Sequence, residues 1–187
     1  MRTYWEWSAR NGSTSNWYYP YVGKDQSCRN QNKKKLSKVK SIQHVRGVTA
    51  MKNAIQEGPM TIAVSAGNHC WRYYKSGVLS SKNNCPKKID HAVVIVGARI
   101  GMAESCRPAS WDERRNKQCS KPNETLMPNK KGILRRCCIA KPDIWIVQNS
   151  WGNKWGKRGF VHMAIEQGEG VSGMNVLAQQ VKIDPNF

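Results

Sequence analysis

An α+β domain built mainly from an antiparallel sheet or barrel is what this sequence predicts, on three observations. Five short runs are rich in β-branched residues: 60–65 (MTIAVS), 89–98 (IDHAVVIVGA), 143–148 (DIWIVQ), 159–165 (GFVHMAI) and 177–183 (LAQQVKI). No long helical period separates them, so a parallel sheet with crossover helices is disfavoured. Hydrophobic residues fill 39% of the 187 positions and include eight Trp, enough for one compact domain or for one and part of a second.

Each element has a local reason. Residues 3–10 read as the end of a helix stopped by Asn11-Gly12. A turn-rich passage over 11–28 follows, punctuated by Pro20 and Gly23. Thr49 is a fair N-cap for a short helix over 50–56, closed by Gly58-Pro59. The strand-like runs then begin, and no internal repeat interrupts them. Between residues 98 and 143 the chain is polar and basic and holds Cys106, Cys119, Cys137 and Cys138. A structureless loop of that length is unusual in a compact domain, and disulfides would make it tolerable. A cross-linked surface insertion is therefore expected. Adjacent Cys137 and Cys138 rarely bond to each other, so each is expected to reach toward Cys106 or Cys119.

The formal charge is +19, with Lys and Arg concentrated in 29–40 (RNQNKKKLSKVK) and in 107–136. Such clusters are solvated charge or recruit an acidic or polyanionic partner, such as nucleic acid or a heparin-like polymer. Neither cluster carries the interleaved aromatics of a base-stacking platform. No run of eighteen apolar residues exists, so a membrane span and a membrane partner are not expected. The first residues, MRTYWEWSARNG, lack the apolar stretch and cleavage site of a signal peptide. Either the chain stays in the cytosol or Met1 is not the start of the natural precursor; the second is the reading taken. Seven cysteines occur, without a CxxC pair and without His at zinc-finger spacing, so neither a metal nor another cofactor is expected. The odd count suggests disulfides with one thiol left over, and hence an oxidising compartment. Sequons at Asn11-Gly12-Ser13 and Asn123-Glu124-Thr125 agree with that compartment.

Chemistry points to two residues. His91 opens the apolar run 92–96, and Asn149 ends a second apolar run within 147–156 (VQNSWGNKWG). A histidine at a strand start is commonly structural. Asn149 at the end of a neighbouring strand, with Trp151 and Trp155 able to roof a polar pair, favours catalysis instead. A neutral imidazole that must take a proton at one nitrogen needs the other held by an acceptor. An Asn carbonyl does this without adding charge and fixes the ring. Facing a thiol, such a ring forms a thiolate–imidazolium pair whose sulfur is already nucleophilic.

The segments 90-DHAVVIVG-97 and 148-QNSWGNKWGKRGF-160 resemble the C-terminal half of the papain-like cysteine peptidases. The upstream segments 11-NG-12, 19-YPYVG-23, 58-GPMTIAVSA-66 and 73-YYKSGV-78 follow in the same order. The resemblance implies a papain-like fold, mainly its antiparallel β-barrel (right) domain with a remnant of its helical (left) domain. It divides the chain into 1–30, the helical remnant and crossover, 31–99 with 143–187, the β-sheet domain, and 100–142, the basic Cys-rich insertion. It makes His91 general base and acid, Asn149 its orienting partner, Trp151 the shield of their hydrogen bond and Trp155 a wall on the leaving-group side. Ala63, Ala92 and Leu177 match positions around the pocket for the substrate residue second from the scissile bond.

The chain departs from the family in two respects. The Cys-Gly-Ser-Cys-Trp-like nucleophile block and its upstream oxyanion-hole Gln are absent, and by resemblance would precede Met1. Cys138 stands beside basic residues, but nothing sets it against His91. By resemblance, Cys28 matches a half-cystine whose partner lies upstream, and Cys85 one whose usual partner position is occupied here by Ser172. Cys70 is then the nearest partner for Cys85, and Cys28 is left alone; other pairings are open. The functional expectation is an endopeptidase hydrolysing peptide bonds with a Cys-His-Asn site, present here with His and Asn and without the thiol. Its partner is a polypeptide substrate or the missing N-terminal half, and its location lysosomal, vacuolar or secreted. The alternatives are a non-catalytic papain-like module that binds protein or polyanion, and a polyanion binder unrelated to proteolysis.

Overall fold

The computed structural model describes residues 2–29, 33–100, 103–108, 124–128, 131, 134–139 and 143–187. Helix α1 spans Arg2–Asn11, and Gly12 closes it by donating to the Ser8 carbonyl at 2.9 Å. Strand β1 (Val39–Val45) precedes α2 (Val48–Glu57), β2 (Met60–Val64) and the single-turn α3 (His69–Arg72). Strand β3 (His91–Arg99) leads into the insertion, where β4 (Ala103–Pro108), β5 (Glu124–Pro128) and β6 (Leu134–Ile139) lie. Strands β7 (Ile144–Gln148), β8 (Phe160–Ala164) and β9 (Ala178–Ile183) complete the chain.

Six strands form one antiparallel sheet in the order β1-β9-β2-β3-β7-β8. The core gathers Ile62 and Val64 of β2, Val93 and Ile95 of β3, Trp145 and Val147 of β7, and Val161 and Met163 of β8, all buried. Met51 of α2 and Trp71 of α3 pack onto the same cluster. Helix α2 is tied to the sheet by Gln180 of β9, whose amide donates to the carbonyls of Ala54 (2.7 Å) and Gly58 (2.9 Å). Those carbonyls lie at the helix C-terminus, where Ala54 also accepts the Gly58 N–H at 3.3 Å and the last acceptors lack helical partners. Lys52 adds a part-buried ion pair to Asp143 at 3.0 Å.

One sequence expectation changes, and two features of the fold go beyond what the sequence predicts. The N-cap of α2 is Gly47, which supplies no side-chain bond, and not Thr49. Val48 is buried and draws the helix start forward, leaving Thr49 exposed inside it. Strand β1 has no counterpart among the predicted runs. Lys40, Ser41, Gln43 and His44 are polar and exposed on either side of a half-buried Ile42, as suits an edge strand that must not recruit other chains. The insertion is not a plain loop: its described residues form a second antiparallel sheet, β4-β6-β5, whose basic and Cys-rich strands hide their period. Of the cysteines expected to bond within the insertion, Cys119 lies outside the described residues, and the structure describes only the backbone of Cys106, Cys137 and Cys138.

Strands β3 and β7 are antiparallel neighbours, with Val94 opposite Gln148 and Arg99 opposite Ile144. His91 and Asn149 therefore sit at one end of this pair, and the chain enters and leaves the insertion at the other.

Candidate active site

The register decides which side chains can meet. With Val94 opposite Gln148, one further step sets Val93 opposite Asn149. His91 lies two residues beyond Val93, so it shares that face and is the diagonal neighbour of Asn149. The imidazole Nε2 lies 2.9 Å from Asn149 Oδ1, although the residues are 58 apart in sequence. Asn149 is buried, and its backbone N–H donates to the Gly159 carbonyl at 2.9 Å.

The Ser150 backbone N–H also donates to Asn149 Oδ1, at 2.8 Å. A backbone N–H can only donate, so the atom it meets is the amide oxygen. An amide oxygen only accepts, and His91 Nε2 must therefore be the protonated nitrogen. Nδ1 is left as the basic nitrogen of the neutral ring.

Two indoles meet the imidazole and a third packs against both of them. Trp151 lies over the imidazole with ring centroids 5.4 Å apart and planes at 31°. Trp71 meets the imidazole edge-on at 6.5 Å and stacks on Trp155 at 5.8 Å with planes at 14°. Trp155 contacts Trp151 edge-to-face at 5.3 Å and donates its indole N–H to the Trp71 carbonyl at 2.9 Å. The turn carrying Trp151 and Trp155 depends on glycine. Gly156 has φ 57°, and a Cβ there would stand 2.7 Å from the Phe160 carbonyl oxygen and 3.1 Å from the Tyr74 ring.

A second clamp fixes the start of β3. Asp90 Oδ1 accepts from the Ala66 N–H at 2.7 Å, and Oδ2 from the Gly67 N–H at 3.0 Å. The approach is so close that a Cβ on Gly67 would lie 2.6 Å from Oδ2. Beyond the clamp, Asn68 caps α3 by accepting from the Cys70 N–H, and a disulfide joins Cys70 to Cys85. Among the described residues Cys28 is a free, exposed thiol, and no group of three or more His, Cys, Asp or Glu could hold a metal.

The family model for papain family cysteine proteases matches residues 1–181. The chain belongs to the papain family. Papain-family relatives include Cathepsin L 2 of Paramecium tetraurelia, 27% identical over 88% of this chain and 38% of its own length. Pro-cathepsin H of Mus musculus is 30% identical over 86% of this chain and 37% of its own. The chain thus spans less than half the length of these curated relatives. Among solved structures, the bromelain protease of Ananas comosus, in complex with the E64 inhibitor, superposes with a TM-score of 0.67 at 23% identity. That match covers 96% of this chain and 67% of bromelain. The likeness shows the papain-like fold, represented here mainly by its antiparallel sheet half.

Within this papain-like frame the three residues expected around a substrate pocket are neighbours. Ala63 pairs directly with Ala92 across β2 and β3, and its N–H donates to the Leu177 carbonyl at 3.0 Å. Ala92 and Leu177 are exposed, whereas Ala63 is buried. Sequence reasoning missed Trp71, the Asp90 clamp and the contact of Ser172 with the tryptophan cluster. Asn68 as an N-cap directly before His69-Cys70-Trp71 was the available signal for α3.

Proposed function

We propose that this chain supplies the proton-carrying half of a cysteine peptidase site. His91 is its general base and acid, and Asn149 the partner that orients it. The nucleophilic thiol comes from a further polypeptide segment, because the 187 residues contain no Cys-Gly-Ser-Cys-Trp-like block. One observation carries the reading: His91 Nε2 is pinned at 2.9 Å by an oxygen whose identity the Ser150 N–H fixes. Nδ1 is then free to exchange a proton with a thiol.

In that reaction the thiolate attacks the scissile carbonyl carbon and the C–N bond breaks. The imidazolium Nδ1–H gives its proton to the departing amine. Water then attacks the acyl-thioester while Nδ1 takes its proton, releasing the acid and the sulfur. Ala63, Ala92 and Leu177 are assigned to the wall that receives an apolar substrate side chain. The thiol-bearing segment is assigned to the aromatic face of the N-terminal region. There Tyr4, Trp7, Tyr19, Tyr21 and Cys28 line a cavity of about 630 Å³, and Trp17 and Tyr21 are 88% and 90% exposed. Exposed aromatic area of this kind favours a covering partner. The Cys70–Cys85 disulfide supports an oxidising location, lysosomal, vacuolar or secreted.

The test joins this chain to the third of bromelain that it does not match. The joined protein should hydrolyse peptide amides, and His91→Ala should lower that rate about 10²–10⁴-fold. A folded product whose thiol reacts with iodoacetamide at pH 6 equally with and without His91 would reject the assignment. A second reading, a non-catalytic papain-like module with a polyanionic partner, is favoured by the charge of +19 and the run Lys33, Lys34, Lys35. On that reading retention on a heparin column collapses when the three become Glu; unchanged elution rejects this patch.

A further inference from the structure

We infer that Ser172 is a positioning residue for the His91–Asn149 pair, acting through the indole N–H of Trp71. The Trp71 Nε1–H donates to Ser172 Oγ at 3.1 Å, and both residues are buried. This hydroxyl is therefore the acceptor that lets an indole lie fully inside the core. Trp71 in turn touches every aromatic group of the site. Its ring meets His91 and Trp151 edge-on and stacks on Trp155, and its carbonyl takes the Trp155 indole N–H. A shift of Trp71 would move both neighbouring indoles and open the imidazole to water.

The backbone at Ser172 supports the same assignment. Ser172 has φ 53° and ψ 25°, a left-handed conformation that non-glycine residues seldom adopt. Such an outlier persists where surrounding contacts hold it, and points to a constraint. Here the Ser172 carbonyl accepts the Ser65 N–H at 2.9 Å, and glycines with φ 71° and 74° stand at 170 and 173. The turn thereby delivers the hydroxyl to the indole from 101 residues away in sequence. Cys70–Cys85 anchors the residue beside Trp71, so the disulfide and the serine hold the indole from two sides.

The inference rests on His91 and Asn149 being the reacting pair, but its readout does not depend on peptidase activity. Nuclear magnetic resonance of the full chain reads the Trp71 and Trp155 indole N–H signals and the His91 ring signals. Ser172→Ala should speed exchange of the Trp71 indole proton about tenfold and displace the His91 ring signals. Ser172→Gly, which also lacks the hydroxyl but relaxes the left-handed backbone and so protects folding, should displace them equally. In a Trp71→Phe background, which removes the donor, Ser172→Ala should displace His91 no further. The inference is overturned if the His91 signals stay in place while those of Trp71 move. It is equally overturned if Ser172→Gly behaves as wild type, or if the Ser172→Ala displacement persists without the indole N–H.

Discussion

At Asn149 the side-chain oxygen takes two hydrogen bonds, while the amide Nδ2 is buried with no partner among the described residues. Unpaired buried donors are costly, so this side chain contributes orientation more than stability. Asn149→Ala removes two accepted bonds and one orphan donor together. Its effect on unfolding free energy should stay within about 1 kcal/mol in urea titration. The ¹⁵N imidazole spectrum of His91 should nevertheless change from a single Nε2–H tautomer to a mixture. His162 offers a second test at this scale. Burial, then the charges of Lys157 and Arg99, hold its imidazole below the ordinary 6.5. As pH falls through 6.5 the unfolded ring takes its proton first, so the fold loses stability until the folded ring is protonated as well. Lys157→Gln removes one repelling charge, and the stability lost between pH 8 and pH 5 should shrink relative to wild type.

Helix α3 shows what an element needs when it cannot stand alone. Four residues are far too few for an isolated helix. It is held by the Asn68 cap, by the Asp90 clamp just before it, by the disulfide and by the burial of Trp71. The disulfide closes a loop of 15 residues, worth about 3 kcal/mol by chain entropy. Cys70→Ser with Cys85→Ser should lose about that much in urea titration, with weakened near-ultraviolet dichroism from the Trp71–Trp155 stack. Legibility in the sequence follows the same division. The strands that flank the site are apolar along their length and could be read directly, and the polar residues at their ends, His91 and Asn149, stood out against them. Trp71 and Ser172 could not be read in this way. An indole beside a cysteine and a serine in a glycine-rich turn carry no period, and their partnership exists only once the chain has folded. Strands β1 and β4–β6 were hidden for a different reason: charged edges and cysteines break the apolar alternation that marks a strand.

Across the whole molecule the two ends of the β3–β7 pair are given to different tasks. At about 3.4 Å per residue, the eight steps from His91 to Arg99 put the point where the chain leaves β3 for the insertion roughly 27 Å from the start of the strand. Replacing residues 101–142 with an Asn-Gly turn should therefore leave the His91 ring signals and the tryptophan dichroism unchanged. Altered His91 signals in that shortened chain would show that the insertion supports the site. The entropy of closing such a connection rises by only about 0.6 kcal/mol per doubling of its length. An antiparallel pair with the His91–Asn149 contact at its open end and its connection at the far end thus provides a site for molecular tinkering. Extra domains, recognition modules or tags can be spliced in there by evolution or by an engineer, and the two residues that must touch need never register the change.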